Sequence, residues 1–457
     1  MAVDRSALPE LGPTPQFRFP TVGRHVLANG LQVRTVEHPS APIVAMVLSI
    51  RGGLGADRRA KEGLTALTAD LVDEGTGSLS AIEVSDAFSR IGGDYGVEVG
   101  ADATGFSLVT LGRFADRGAQ LLADVATRPA LREEDFSRVK QQRLDRLIQL
   151  RTVPQALAES AFEHLLYGEH PYGHLAIGNT TSLAGLTLDE VRRFHESAFQ
   201  PSRATLVLAG ALRHEELVAL AERAFGSWVD TPSADLVQIA ADIAPPLAAT
   251  ARLAIVPRDG AAQSELRMGH LAARRDTPDY SALLVMNAVL GGQFVSRVNL
   301  KLREEKGFTY GAYTGFDWRR GLGAFSLEAS VHTASTAEAI SDGLRELHDI
   351  RGSRPPTPDE LFLAKASLTR GYPRGFETAE QVARSVASLA LHGLPDTYFE
   401  EFVPKIAAIT TDDVMRVAEQ YIDPSRLTTL VVGDYARIGE SLGALGLGEW
   451  QVLPSEL

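Results

Sequence analysis

The sequence predicts an α+β protein made of two homologous domains, each a mostly antiparallel sheet with helices packed on one face. Two observations support this fold class. The segment after Leu186 aligns without a gap on the segment after Ile409, with Arg203 falling on Arg426. In both halves, β-branched strand patterns joined by short turns alternate with long helical patterns. A duplicated unit of strands and helices accounts for both observations.

The two copies of the repeat have the same local pattern. Thr187 and Thr410 are each followed by acidic residues and an amphipathic stretch, which is typical of a capped helix. A Pro-Ser-Arg break follows at 201–203 and again at 424–426, and an apolar β-branched run comes after each break. Each copy is therefore predicted to fold as helix, turn and strand.

The remaining elements follow the same periodicities. Alternating apolar residues predict strands in both halves, and 3.6-residue spacing predicts two long helices. The expected strands are 31–36, 43–50, 96–101, 104–111, 252–256 and 265–270, and the expected helices are 133–151 and 357–368. A Pro/Ala/Asp-rich stretch lies between the halves. The predicted organisation is an extension at 1–21, a first domain at 22–230, a linker at 231–250 and a second domain at 251–457.

Composition excludes several function classes. There are 58 acidic against 45 basic residues, a net charge of -13, with no dense basic cluster, so nucleic acid is not an expected partner. Cysteine is absent, which rules out disulfides, cysteine-bound zinc and a thiol nucleophile. No signal peptide, transit peptide or long apolar stretch is recognisable, so we expect a cytoplasmic protein with no membrane segment.

Other chemical motifs are weak. His164, His170 and His174 form the densest histidine cluster, but Pro171 and Gly173 interrupt any helix that could bring them to one face. An ordinary loop is therefore favoured over a metal site. The sequence contains neither a Gly-x-Ser-x-Gly nucleophile elbow nor a phosphate-binding glycine motif followed by lysine.

One segment resembles the second domain of M16 (pitrilysin/insulinase) peptidases. In that family a Gly-rich turn leads into a helix that ends in Arg-Glu-x-x-Gly-x-x-Tyr. The corresponding residues here are Gly291, Gly292, Arg303, Glu304, Gly307 and Tyr310. The stretch from His170 to Gly178 and the duplicated architecture also resemble the family. The resemblance covers most of the chain and implies the metallohydrolase fold of these enzymes.

The resemblance also implies a zinc site whose ligands this chain lacks. Active members carry His-x-x-Glu-His, in which two histidines one helical turn apart bind zinc and the glutamate activates water. The matching positions are Ala66, Ala69 and Asp70. One carboxylate without imidazole partners cannot hold zinc, and alanine cannot accept a proton. We therefore expect this chain to bind no metal and to have no intact catalytic residues.

The family's third zinc ligand is a glutamate on a later helix, and the matching helix, 139–147, contains none. The register of this match is open by a few residues. Gln142, Arg143 or Arg146 could occupy the ligand position, and Asp145 is the one carboxylate that another register would bring there.

Arg303 and Tyr310 remain as candidate substrate-binding residues. From residue types alone, Arg303 belongs to a solvated charge run and Tyr310 is a strand aromatic. The resemblance implies instead that both contact the substrate backbone near the scissile carbonyl. A guanidinium and a phenol are donors suited to a carbonyl oxygen or a developing oxyanion.

The resemblance thus points to the non-catalytic subunit of a heterodimeric zinc metallopeptidase that degrades peptides. The expected partner is an M16 paralogue with an intact His-x-x-Glu-His motif, which would supply the zinc. Two alternatives remain. One is a purely structural subunit, similar to the respiratory-complex core proteins of this fold, and the other is a homodimer that binds peptides unaided.

Overall fold

The computed structural model describes residues 18–231, 238–243 and 252–454. Most of the predicted extension at 1–21 and most of the predicted linker at 231–250 lie outside these ranges. Within the linker stretch, Ala240 is buried against the core of the first half. The proposed domain boundaries remain predictions.

The first half forms a six-stranded sheet in the order β1-β2-β8-β3-β7-β6. Only the β2–β8 pair is parallel. The strands of this half, including the separate β4–β5 hairpin, are β1 (Val22–Val26), β2 (Gln32–Glu37), β3 (Ile43–Arg51), β4 (Gly75–Thr76), β5 (Leu79–Ser80), β6 (Asp94–Val99), β7 (Ala103–Leu111) and β8 (Ala204–Gly210).

The second half repeats this arrangement in the order β11-β12-β10-β13-β9-β14. As in the first sheet, the last strand of the repeat, β13, is antiparallel to one neighbour and parallel to the other. The strands are β9 (Arg252–Pro257), β10 (Gln263–Leu271), β11 (Thr309–Phe316), β12 (Ala324–His332), β13 (Thr428–Gly433) and β14 (Gln451–Val452).

The described residues contain sixteen α-helices, which pack on the two sheets or on one another. The first half contains α1 (Leu64–Leu71), α2 (Ala81–Arg90), α3 (Ala115–Thr127), α4 (Glu133–Leu150), α5 (Pro154–Tyr167), α6 (Thr180–Gly185), α7 (Leu188–Ala198) and α8 (His214–Phe225). The second half contains α9 (Tyr280–Leu290), α10 (Arg297–Asn299), α11 (Thr336–His348), α12 (Pro358–Arg370), α13 (Ala379–His392), α14 (Tyr398–Ala408), α15 (Thr411–Tyr421) and α16 (Tyr435–Gly443).

The predicted helix–turn–strand repeat is confirmed. α7 and α15 are followed by 3₁₀ turns at Pro201–Arg203 and Pro424–Arg426, which lead into β8 and β13. Thr187 and Thr410 cap the two helices. In each case the threonine hydroxyl oxygen accepts a hydrogen bond from the backbone amide of the acidic residue three positions later. The carboxylate of that acidic residue accepts a hydrogen bond from the backbone amide of the threonine.

Each half lends one helix to the sheet of the other half. In the first sheet, Met46 and Leu48 face the helices of their own half, whereas Ala45 and Val47 pack against α13 of the second half. Conversely, α5 of the first half lies on β10 and β13. Both faces of each sheet are therefore covered, and the two halves share apolar contacts.

The β11–β12 loop fastens the second half onto the first. The Arg319 guanidinium lies 4.6 and 4.7 Å from the ring centroids of Tyr167 and Tyr172, and it donates to Glu163 at 3.0 Å. Asp102 accepts from the Tyr172 hydroxyl and, at 2.7 Å, from the backbone of residue 320. These groups are mostly buried, so the contact combines hydrogen bonds with packing.

No helix in the described ranges is long and apolar enough to cross a membrane.

Candidate functional site

The helix that would carry the zinc motif, α1, begins at a tight backbone turn. Gly63 adopts φ 91°, a left-handed conformation that favours glycine. Asp57 satisfies the first amides of the helix, because its carboxylate accepts from the Gly63 and Thr65 amides at 2.7 Å each. His174 Nε2 donates to the same carboxylate at 3.1 Å. The hydrogen bonds of Asp57 thus fix the start of α1.

The three positions of the motif contain no metal-binding arrangement. Ala66 and Ala69 are buried, and their methyl groups pack into the protein. Asp70, one helical turn after Ala66, is about half exposed and pairs with Arg143, with Nη1 to Oδ2 at 2.5 Å. The three positions therefore lie on one helix, and of them Asp70 contacts α4.

The same ion pair decides the register of α4. Arg143 faces α1, and its second terminal nitrogen donates to the Ala176 carbonyl at 3.0 Å. Gln142, Asp145 and Arg146 lie on the exposed side of the helix. Asp145 accepts from Gln141 and Arg146 donates to Gln149, both on α4 itself. Among the open candidates, Arg143 is the residue opposite the motif.

Zinc does not fit this site. The Arg143 guanidinium already neutralises Asp70, the one carboxylate among the three motif positions, and its charge would repel a metal cation. Across the described ranges, no three His, Asp or Glu side chains converge as metal ligands. The histidine cluster fits this result, because His164 lies on α5, whereas His174 serves as the partner of Asp57.

In the second half, Arg303 lies on an unusual helical segment. α10 continues as a π-helix at Leu300–Glu305, a form that is rare and frequent at functional sites. The Arg303 guanidinium is 4.3 Å from the Phe294 ring centroid, and its side chain is about one-third exposed. The ring therefore supports the guanidinium and leaves it open to solvent.

Tyr310 lies on a second irregular segment. In the pairing of β11 with β12, Thr309 faces Val331 and Ala312 faces Ala329, so Tyr310 and Gly311 together oppose one residue. This is a β-bulge, which redirects side chains and is over-represented beside active sites. Tyr310 is 89% exposed, the most exposed large side chain of the described apolar and aromatic set.

Buried contacts hold these two segments together. The Asn299 side chain donates to the Phe294 carbonyl at 2.7 Å and accepts from the Ala312 amide at 3.1 Å. Gly291 lies so close to β11 that an added Cβ would be 2.5 Å from the Thr314 nitrogen. The glycine-rich turn is thus required by close backbone approach, and it fixes the helix carrying Arg303 beside the strand carrying Tyr310.

A buried ion pair anchors the start of the same helix. Arg297 donates to both carboxylate oxygens of Glu360 at 2.7 and 2.8 Å, and also to the carbonyls of Arg354 and Pro355. Burial alone would raise the pKa of Glu360, but the hydrogen bonds from Arg297 dominate and lower this pKa to about 2. The Arg303 segment therefore begins at a rigid, fully charged contact.

Sequence reasoning missed several residues that shape these sites. Asp57 lies several residues before α1, outside the position where a capping residue is expected from sequence. Arg319 reads as one of two adjacent arginines in a polar loop. The histidine-proline stretch was recognised, but its structural use, in which His174 binds Asp57 and Tyr172 binds Asp102, depends on contacts distant in sequence.

Comparison with known families gives one match, which spans parts of both halves. Residues 185–368 match the model described as the peptidase M16 inactive domain. Among curated proteins, the chain is 25% identical to an uncharacterized zinc protease of Mycobacterium tuberculosis, over 87% of this chain and 90% of the relative. It is 22% identical to the uncharacterized zinc protease YmxG of Bacillus subtilis, over 87% and 95%.

Solved structures share the fold. A peptidase M16 inactive domain from Pseudomonas fluorescens superposes with a TM-score of 0.84 at 24% identity, covering 90% of this chain and 98% of the other. A protease from Helicobacter pylori gives 0.83 at 20% identity, covering 91% and 100%. At this level of identity the two structures establish the architecture alone.

Proposed function

We propose that this chain, of which residues 185–368 match the peptidase M16 inactive domain, is the non-catalytic subunit of a heterodimeric zinc metallopeptidase. In this proposal, a paralogous partner carries an intact His-x-x-Glu-His motif and the zinc. This chain contributes Arg303, Tyr310 and part of the wall of a peptide-degrading chamber. The observation that carries the proposal is a pair of accessible donors in a chain whose own metal position is closed by the Asp70–Arg143 ion pair.

The closed metal position supports a requirement for a partner. The fold of an M16 protein is retained over about nine-tenths of the chain, and the start of α1 is still tightly capped. The metal ligands and the base expected at Ala66, Ala69 and Asp70 are missing, and so is the glutamate ligand expected on α4. A chain that keeps the enzyme's shape without its metal is suited to work beside one that has it.

The exposure of Tyr310 supports a role in binding. Among the described residues its hydroxyl forms no hydrogen bond, and its ring is almost fully exposed, so a ligand can reach both. Arg303 has no strong ion pair within the described ranges, where its one ion-pair contact is a long one of 3.6 Å with the adjacent Glu304. Both donors are therefore available to a ligand.

The chemical role follows from the donor types. When a peptide carbonyl is attacked, negative charge develops on its oxygen, and a donor fixed in advance stabilises that charge more than it stabilises the neutral carbonyl. The Arg303 guanidinium and the Tyr310 hydroxyl would donate to this oxygen or to the neighbouring backbone carbonyl. Attack on the peptide and proton transfer would fall to the partner.

The test is peptide turnover by the reconstituted complex. Arg303→Ala or Tyr310→Phe should lower kcat by roughly ten- to a thousandfold, the range expected when one transition-state donor is lost. Matched controls are Arg437→Ala and Tyr435→Phe on α16, which remove the same groups from another exposed surface. The controls should stay within about twofold of the unmodified complex.

Gel filtration of each mutant complex separates catalysis from assembly, since the mutants should remain bound to the partner. Unchanged turnover in both Arg303 and Tyr310 variants would contradict the proposed role and favour a purely structural subunit. A zinc-bearing paralogue that is fully active alone, with rate and specificity unaffected by this chain, would contradict the heterodimer. Peptide binding by this chain as a homodimer would favour the third alternative.

A further inference from the structure

A second tyrosine of β11 lies beside the β-bulge that contains Tyr310. The two bulge residues, Tyr310 and Gly311, together oppose Ser330 of β12. Tyr313 opposes Glu328 of the same strand. Ser330 and Glu328 are two residues apart, so they lie on the same face of the sheet. Tyr313 is therefore on the face that carries the bulge.

The ring of Tyr313 folds back over Gly311. A Cβ added at Gly311 would lie 2.8 Å from the Tyr313 hydroxyl oxygen and 2.9 Å from Cε2, which is closer than side chains pack. Gly311 is not among the glycines with a positive φ, so the ring, and not the backbone conformation, requires glycine here. The Tyr313 hydroxyl is thus held against the residue that follows Tyr310.

The Thr309 hydroxyl fixes the backbone of the bulge. It accepts from the Gly311 amide at 3.1 Å and donates to the Gly311 carbonyl at 2.8 Å. The next amide, that of Ala312, donates to the Asn299 side chain at 3.1 Å. Because both amides already have acceptors, an acceptor group of a ligand at the bulge has to be bound by side chains.

The Tyr313 hydroxyl is available for this purpose. The side chain is 53% exposed, and within the described ranges its hydroxyl forms no hydrogen bond. A phenol donates one hydrogen bond and suits a carbonyl oxygen, the acceptor that a peptide offers at every residue. A tyrosine whose ring is already placed also loses little conformational entropy on binding.

Arg303 and Tyr310 already provide two donors, as many as the two lone pairs of one carbonyl oxygen accept. A third donor beside them therefore serves another carbonyl of the same peptide. Building on the proposed function, we propose that Tyr313 binds a backbone carbonyl of the substrate other than the one that reacts. Gly311 and Thr309 position its ring and the bulge.

Kinetics of the reconstituted complex test this assignment. A carbonyl that does not react gains no charge in the transition state, so Tyr313 should stabilise the bound peptide and the transition state equally. Tyr313→Phe should therefore raise KM about three- to tenfold, the range for one neutral hydrogen bond, with kcat within about twofold. Tyr310→Phe should lower kcat instead, and the control Tyr435→Phe should change neither.

The isolated chain gives a second readout that needs no partner. It lacks the expected zinc ligands, so the same peptide should remain intact and its Kd can be measured by isothermal titration. Tyr313→Phe should raise Kd by about the same factor as KM. A merely structural role would instead lower the thermal stability, which should be unchanged because the lost hydroxyl is exposed.

Gly311→Ala tests the positioning of the ring. Its Cβ should displace Tyr313 and raise KM about as much as Tyr313→Phe does. In the Tyr313→Ala background the same alanine should change KM less than about twofold, because the ring it displaces is gone. An undiminished effect in that background would overturn positioning by Gly311.

The outcomes separate this inference from the proposed function. Unchanged KM and Kd in Tyr313→Phe, with kcat lowered by Arg303→Ala and Tyr310→Phe, would overturn the inference alone. A lower kcat with unchanged KM in Tyr313→Phe would place the hydroxyl at the reacting oxygen and also overturn it. Unchanged turnover in the Arg303 and Tyr310 variants, with Kd raised in Tyr313→Phe, would contradict the proposed function and retain Tyr313 as a peptide-binding residue.

Discussion

Replacing Asp73 by asparagine should stabilise the isolated protein, and by more at higher pH. Asp73 is partly buried beside Glu74 and Asp70, and burial raises its pKa from 3.8 to about 6. In the folded state the ionised carboxylate is therefore less stable than in the unfolded chain. Asparagine keeps the shape of the side chain and removes the charge.

The size of the pKa shift sets the expected gain in the free energy of unfolding. Because the folded pKa lies above the unfolded one, Asp73 imposes almost no penalty below about pH 3. The penalty grows between the two pKa values and levels off above about pH 7. A difference of about 2.2 pKa units corresponds to a penalty of about 3 kcal/mol at pH 8. At pH 5 the same relation gives about 1.6 kcal/mol, so the advantage of the variant should increase by about 1.4 kcal/mol between these pH values.

Urea unfolding at pH 5 and pH 8 measures this advantage. The free energy of unfolding is determined for the unmodified chain, Asp73→Asn and the control Asp86→Asn, whose side chain is exposed. The control should show the same pH dependence as the unmodified chain. If Asp73→Asn also follows that dependence, the carboxylate is already compensated and the reasoning from its burial is wrong.

Two further predictions concern the metal position and a buried histidine. The isolated chain should contain no stoichiometric zinc. The triple variant Ala66→His, Asp70→His and Arg143→Glu should contain about one zinc per chain by elemental analysis after dialysis, whereas the double variant that retains Arg143 should contain none. Absence of zinc from the triple variant would contradict the alignment of α1 with α4. Burial lowers the pKa of His195 to about 4, so at acidic pH the unfolded chain binds a proton that the folded chain excludes, and the protein loses stability. Urea unfolding at pH 7 and pH 4 should show that His195→Leu loses about 3 kcal/mol less stability over this range than the unmodified chain. Equal losses in the two proteins would refute this.

Much of the fold was predictable because its signals are local. The Thr187 and Thr410 caps, the Pro-Ser-Arg turns and the alternating strands depend on residues a few positions apart. The strand ends shifted by only a few residues; for example, the strand expected at 96–101 is Asp94–Val99. Because the periodicity of each element is strong, the architecture of the two sheets follows from the sequence.

The candidate site was predictable only in part, because its geometry depends on distant contacts. The absence of zinc ligands could be read from Ala66 and Ala69, but the choice of Arg143 over its neighbours required the approach of α4 to α1. The bulge at Tyr310 likewise arises from pairing with β12.

The exchange of α5 and α13 between the halves has a consequence for motion. A hinge between two domains works when each keeps its own apolar surface covered as they part. Here, separating the halves would remove α13 from Ala45 and Val47 and expose that face of the first sheet. It would also remove α5 from β10 and β13 of the second sheet. The chain therefore cannot open like a clamshell. If a complex of this chain admits and encloses a peptide, the gap must open between the subunits.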